Sequence, residues 1–374
     1  MVENKRLASL DTLRGFDMLF IMGFSNLIWA ICSLLPCGTD CWLAQQMGHV
    51  AWNGLRHHDT IFPLFLFIAG ISFPFSLAKS REKGKSRASI YWKIVRRGLT
   101  LVFLGLLVNN LLQFKFDTVR IPSVLARIGL AWMFAALLFV DVKAWVRAII
   151  AAAILLGYWG LSMIPAPDAV AAAGGAYVDP LSKEGCLVGY VDRCLIPGHL
   201  WSGEGGSFDP EGILSTLPAV VTAMLGMFTG EFVMRQDISS NRKTAIMFAA
   251  AAVMLALGLL WSSVLPINKK LWSSSFVLAV GAYSLALFAL FYWIIDVKGW
   301  DCWTMPFKVI GMNSITIYML PKVINLKYAT NFFLGGVLSH FEGATYDAIY
   351  YTGYIIVSWL ILYFLYRKEV FLKV

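Results

Sequence analysis

The chain has 374 residues, a formal net charge of +9, 59% hydrophobic residues and only 14% charged ones. An ordinary soluble domain is nearer ~45–50% apolar and ~25% charged, so the composition excludes a soluble globular protein and points to a polytopic membrane protein. In that setting the positive charge is a topology signal and not a sign of a nucleic-acid partner. A helix needs roughly 20 apolar residues to cross the hydrocarbon layer. About ten such stretches are predicted, near residues 12–34, 60–78, 98–114, 121–140, 147–164, 213–234, 244–265, 273–295, 307–325 and 346–366. Little chain remains for anything else, so residues 1–374 read as one all-α transmembrane domain. The first apolar segment runs past signal-peptide length without a small-residue cleavage site and is expected to stay as a mature helix.

The charges set an orientation. Lys5 and Arg6 precede the first helix, and the connection after the second holds Lys79, Arg81, Lys83, Lys85, Arg87, Lys93, Arg96 and Arg97. Basic connections mark the cytoplasmic side, and alternate connections agree: Lys143 and Arg147, then Arg235, Arg242 and Lys243, then Lys298 and Lys308, then Arg367 and Lys368. Both termini are therefore expected in the cytoplasm, with an even number of spans. The longest connection, residues 165–212, carries Asp168, Asp179, Glu184, Asp192, Glu204, Asp209 and Glu211 against only Lys183 and Arg193, and is placed outside. All five histidines, His49, His57, His58, His199 and His340, then fall on the outer side, as does the PINKKLW connection with Asn268, Lys269 and Lys270. So do Cys32, Cys37, Cys41, Cys186 and Cys194. Cys37 with Cys41, or Cys186 with Cys194, are candidate pairs whose connectivity the sequence leaves open. No CxxC or HExxH spacing suggests zinc, and no metal is expected.

Polar groups inside apolar runs are costly and need a reason. Asp11 and Arg14 in SLDTLRGF share a helix face by their spacing and read equally well as an ion pair or as part of a site. Arg120 suits an interfacial anchor. Arg127 lies deeper in its apolar run and requires a carboxylate, a carbonyl or a ligand phosphate. Asn313 and Ser314 in GMNSITIY suit helix-packing contacts better than ligand binding.

The densest polar stretch is residues 46–70, QQMGHVAWNGLRHHDTIFPLFLFIAG, where His49, Trp52, Asn53 and Asp59 arrive just before a membrane helix. Gly48 permits close backbone approach, Trp52 offers an aromatic wall and Asn53 lies one helical turn beyond His49. A neutral imidazole accepts a proton or attacks as a nucleophile. Asp59 suits the group that fixes its tautomer. By residue type alone His57 and His58 qualify equally.

The ordered blocks SLDTLRGFDM, HVAWNGLRHHDTIFPLFLFIAG, VRIPSVLARIGL, GYVDR, FDPEGILSTL, PINKKLWSSSFVL, DVKGW and GMNSITIY closely resemble the heparan-alpha-glucosaminide N-acetyltransferase family of transmembrane acetyltransferases. The resemblance runs from about Leu7 to the last helix. It implies transfer of acetyl from acetyl-CoA, across a membrane, to the amine of a terminal glucosamine. The family's HxxWNGL pattern puts its active-site histidine at His49 and demotes His57 and His58 to surface residues. Only MVENKR precedes the first block where lysosomal members carry a further luminal region, which suggests a short bacterial form in the inner membrane. The 165–212 loop matches only at GYVDR and FDPEG.

On this resemblance His49 acts as general base or transient acetyl carrier, and the Asn53 amide is the first choice for the oxyanion. Arg14, Arg127, Lys269 and Lys270 are candidates for the CoA phosphates. Trp52, Asp209, Glu211 and Asn268 are candidates for the amino-sugar or glycan acceptor, although acidic residues opening a helix also serve as caps. The outer loop is expected to fold partly over His49. Membrane lipid is an expected partner, and a homodimer is compatible with the family. Two other readings keep the scaffold: an envelope O-acyltransferase acting on a polysaccharide or glycolipid, and an amino-sugar transporter, against which stand the lack of a repeat and the polar motifs on one face.

Overall fold

Backbone polar groups in hydrocarbon must be satisfied within the segment, which makes apolar spans helical. The computed structural model describes residues 7–372; Lys5 and Arg6 lie outside the described residues. In chain order, α1 (Ala8–Leu19) passes through a wide turn at Phe20–Phe24 into α2 (Ser25–Ser33), the turn being made by Gly23 at φ +116°. The short α3 (Trp42–Gln46) follows a Cys37–Cys41 disulfide, while Cys186 and Cys194 are unbonded. Then come α4 (His57–Glu82), α5 (Arg87–Val108), α6 (Val124–Asp141) and α7 (Ala144–Ser162). The long loop holds α8 (Pro167–Ala172) and α9 (Leu187–Leu195), and α10 (Thr216–Met234), α11 (Ser240–Trp261) and α12 (Ser274–Phe291) return to the bundle. The chain ends with α13 (Met305–Met312), α14 (Ser314–Val323), α15 (Leu326–Leu338) and α16 (Gly343–Arg367). No strand occurs among the described residues; Pro165 and Cys186 form an isolated bridge.

All ten expected stretches are helical over most of their length, and eight lie in helices long and apolar enough to cross a membrane. The other two differ for physical reasons. Helix α5 has 22 residues, about 33 Å at 1.5 Å per residue, but Lys93, Arg96 and Arg97 load its first half with charge. The expected span 307–325 breaks at Asn313 (φ −115°, ψ 24°) into α13 and α14. Helix α15 was not expected.

Burial sorts the spans into two rings. Helices α4, α6, α10 and α12 are 61%, 67%, 67% and 61% buried over their most apolar stretch, against 22%, 22% and 17% for α7, α11 and α16, so the first four form the inner ring. Its tightest contact joins α4 to α10, where a Cβ on Gly226 would come 2.1 Å from the Phe67 carbonyl and one on Gly70 2.4 Å from that of Ala223. Small residues let backbones approach this closely where no hydrophobic force separates helix from lipid. The result is a rigid α4 whose first turn presents the polar stretch.

Candidate functional site

Asp59 is the third residue of α4 and is 1% exposed. Its Oδ2 accepts the backbone N–H groups of Arg56 at 3.2 Å and Val50 at 3.3 Å, so it caps the helix where the macrodipole favours an anion. Its Oδ1 lies 2.7 Å from His49 Nδ1. One carboxylate thus closes the helix and orients the imidazole, whose side chain is 48% exposed toward the cleft. The Arg56 Nη1 donates to the His49 carbonyl at 3.3 Å and holds the loop from the other side.

A second loop, 262–273, is clamped against this one. Gly54 donates its N–H to the Ile267 carbonyl at 2.8 Å, and Asn268 Nδ2 donates to Asn53 Oδ1 at 3.1 Å. The clamp delivers Lys269, whose Nζ lies 3.1 Å from His49 Nδ1 and 3.5 Å from Asp59 Oδ1. Burial pushes the Lys269 ammonium pKa down, against the pull of the Asp59 and Glu211 carboxylates. Nδ1 cannot both donate to Asp59 and accept from Lys269. The carboxylate is nearer and buried, so we assign the proton to Nδ1, with Lys269 sharing Asp59 and the lone pair left on Nε2.

These groups line a cleft of about 290 Å³ with Arg120, Trp201, Glu204 and Glu211. The last three come from the 165–212 loop, which folds over His49. Arg120 grips the loop through Asp209, from Nε at 2.8 Å and Nη2 at 2.5 Å, and also bonds Glu211. Asp209 in turn accepts the Trp201 N–H at 2.9 Å. Glu204 is bonded by Lys183 and, at 2.6 Å, by Lys270. Burial opposes the Glu204 charge, but these two lysines outweigh it and hold the carboxyl below its ordinary value. Beneath the loop Asp192 is fully buried, accepts N–H bonds from Ile213 (2.9 Å) and Asp209 (3.3 Å), and is pushed up to about 6 by burial.

The structure therefore brings His49, Asp59, Glu211, Lys269 and Lys270 to one cleft and leaves the other candidates outside its lining. Asn53 and Asn268 bond each other, and Asp209 is buried behind Arg120. Trp52 donates to the Leu181 carbonyl at 2.9 Å and packs on Phe208, supporting the loop. Arg127 reaches the Gly212 carbonyl at 3.2 Å and the Ser215 hydroxyl and lies over Trp272, so its deep charge ties the start of α10 to α6. Arg14 bonds Asp11 at 3.2 Å and Ser72 at 3.4 Å in mid-bundle.

The expectation that His57 and His58 are surface residues is corrected. Both are partly buried because the first turn of α4 docks against the α1–α2 span. The His57 ring sits 4.3 Å from that of Phe20. His58 Nδ1 lies 3.2 Å from Ser25 Oγ, and its ring meets His49 edge-on at 4.6 Å.

Sequence reasoning also passed over a second polar cavity, of about 430 Å³, at the other end of α4. Ser76 and Ser80 of α4, Lys93, Arg96 and Arg97 of α5 and Trp132 of α6 line it. Arg97 stacks over Trp132 at 4.3 Å, and its buried Nε has no hydrogen-bond partner among the described residues. Along α4, Asp59 and Ser76 are about 25 Å apart at 1.5 Å per residue. A small apolar pocket of about 10 Å³, lined by Met18, Phe62, Phe65, Ile128, Ser314 and Tyr318, adjoins the His49 cleft, with which it shares Phe62 and Val124.

The structure is a helical membrane bundle with a carboxylate-oriented histidine at one end of α4 and a basic cavity at the other. The family model described as heparan-alpha-glucosaminide N-acetyltransferase, catalytic, matches residues 6–267, and the chain belongs to that family. It is 29% identical over 419 aligned residues to the human heparan-alpha-glucosaminide N-acetyltransferase and 28% identical over 421 to the mouse protein. Each comparison covers 99% of this chain and 60% of the relative. The chain thus spans about 60% of the length of these curated relatives.

Proposed function

We propose that the chain is an acetyltransferase that takes acetyl from acetyl-CoA at its basic end and places it on the amine of a glucosamine-type sugar at the His49 end. The observation that carries this reading is the 2.7 Å contact between His49 and the buried Asp59 inside an accessible cleft, together with the family match. The basic end is assigned to the cytoplasm by its Lys and Arg content, the membrane to the bacterial cytoplasmic membrane, and both termini to the cytoplasmic side.

The donor's phosphates suit Lys93, Arg96 and Arg97 better than the residues first considered, because Arg127 is engaged with α10 and Lys269 with His49 and Asp59. Charge-assisted bonds to phosphate are about twice as strong as neutral ones. The extended arm of the donor then reaches along α4 past Phe65 and Phe62 and presents the thioester to His49.

At the cleft the acceptor arrives as an ammonium and must lose a proton before it can attack. His49 Nε2 takes that proton while Asp59 steadies the imidazolium. The amine adds to the thioester carbonyl, and the oxyanion is met by the Lys269 ammonium, a better-placed donor than the Asn53 amide. Collapse expels the CoA thiolate, which takes up the second proton that the adduct nitrogen sheds as the amide forms, while His49 releases the first proton to solvent through the open cleft. Glu211 and Glu204 face the acceptor as hydrogen-bond acceptors for sugar hydroxyls. The same Nε2 lone pair serves a two-step route through acetyl-imidazole, and release of CoA in the absence of acceptor selects that route over direct transfer.

The test is acetyl transfer from acetyl-CoA to glucosamine by the purified protein in detergent, wild type beside His49→Ala. Product formed by the wild type and abolished in a folded variant supports the reading. An O-acyltransferase consumes acetyl-CoA only with a hydroxyl acceptor. A carrier is neither stabilised by acetyl-CoA nor consumes it, and either result overturns the proposal.

A further inference from the structure

The first turn of α4 has two working faces. Asp59 and Phe62 line the His49 cleft, while His57 and Thr60, on the opposite side of the helix, line a separate groove of about 460 Å³. Phe20, Phe24, Ile28, Trp42, Leu43 and Met47 make that groove almost wholly apolar, and Arg56 stands at it as a cation. The Arg56 side chain bonds the His49 carbonyl, and no carboxylate lies within ion-pair distance of its guanidinium among the described residues.

We propose that this groove holds one acyl chain of a membrane phospholipid, with the lipid phosphate on Arg56. Three observations argue for that occupant. The groove is built on the membrane span Ala8–Ser33, so lipid rather than water bathes it. Its rim exposes Trp42 (72%), Leu43 (46%) and neighbouring Trp29 (48%), the amphipathic residues that settle at the headgroup level. The one cationic side chain lining it lacks a carboxylate partner, and a planar guanidinium matches a phosphodiester. Because Arg56 also grips the His49 carbonyl, a bound phosphate anchors the loop that carries the histidine. This inference does not rest on the acetyl-transfer reading, since it is tested by lipid uptake.

The experiment titrates phosphatidylglycerol, and separately diacylglycerol of the same chains, into delipidated protein in detergent and counts bound lipids by native mass spectrometry. Wild type, Arg56→Gln and Ile28→Trp are compared, each with its thermal unfolding curve; Arg56 is only partly buried, so its variant tests the proposal even if Ile28→Trp fails to fold. The expected result is one phosphatidylglycerol on the wild type. Its affinity falls at least about tenfold when the phosphate contact is removed, when the groove is filled, or when diacylglycerol replaces the phospholipid. Equal uptake by all three proteins means ordinary surrounding lipid only and overturns the proposal. So does retention of a lipid-linked sugar in place of phosphatidylglycerol, which would give the groove to an acceptor.

Discussion

Replacing Asp59 with asparagine changes one atom and reverses the polarity of the site. Oδ2 of Asp59 accepts two backbone N–H groups, from Val50 and Arg56, and Oδ1 faces His49 Nδ1 at 2.7 Å. An asparagine must turn its oxygen toward the two N–H groups, because facing them with NH2 strands buried donors at a cost of about 1–3 kcal/mol each. Its NH2 then points at Nδ1, which becomes an acceptor, and the ring proton moves to Nε2. The lone pair that should receive the acceptor's proton is gone. Asp59→Asn is therefore expected to lower kcat about 10²–10⁴-fold and leave the KM for acetyl-CoA unchanged, since the donor cavity proposed above is at the far end of α4. Loss of the charge-assisted bond and of an anion at the helix N-terminus costs about 1–3 kcal/mol of stability. Lys269, 3.5 Å from Oδ1, also loses a Coulomb partner worth roughly 5 kcal/mol at an effective dielectric of 20, before desolvation is set against it. The assay is steady-state acetyl transfer in detergent with thermal unfolding as the folding control. A folded Asp59→Asn protein whose kcat stays within about threefold of wild type would refute the tautomer argument.

Two further outcomes follow from the geometry. Arg97→Gln keeps the stack on Trp132 in part but removes a charge from the basic cavity. It should raise the KM for acetyl-CoA about tenfold or more with less effect on acceptor KM; the reverse pattern in initial-rate kinetics would move the donor elsewhere. The Asp192 carboxyl, raised by burial from 3.8 to about 6, binds its proton more tightly in the folded state. Its contribution favours folding fully below pH 4 and is lost as pH rises through about 6, a change of about 3 kcal/mol at most. Asp192→Asn should flatten the fall in unfolding temperature between pH 4 and 7, and an unchanged profile would show that another group sets it.

The spans were legible because a long apolar run has one solution in hydrocarbon, and the sequence places eight of them within about five residues, while the expected 98–114 stretch misses the charged first half of α5. Their breaks were less so: Asn313 was read as packing polarity inside a helix, whereas it ends one, and α15 lies in a mixed stretch with no clean apolar run. His49 and Asp59 were legible as partners because ten residues of one loop and helix turn carry both. Lys269 lies 220 residues from His49, and only the Gly54–Ile267 and Asn53–Asn268 bonds reveal that the two loops meet. The sequence offers Lys269 for phosphate, whereas the structure sets it against His49 and Asp59, because sequence gives a charge without its neighbours. Arg97 was hidden for the opposite reason, as one of eight basic residues whose collective meaning is topology.

The donor placement proposed above bears on how a transfer across a membrane is run without moving the whole donor. The basic cavity and the His49 cleft are separate spaces about 25 Å apart along α4, and the small apolar pocket at Phe62 and Phe65 adjoins the cleft. Under that proposal the cation cluster that orients the protein also holds the nucleotide end, and only the thin thioester arm has to pass Phe65 and Tyr318. Phe62 lines both that pocket and the cleft, so the last side chain the arm displaces is the ring over which Lys269 sits at 5.6 Å. Under the same proposal, arrival of the donor and placement of the oxyanion donor are one event. An enzyme working as proposed keeps Lys269 on Asp59 until the thioester is present, which spares an acetyl group from reaching His49 unaccompanied by the charge that stabilises its transfer.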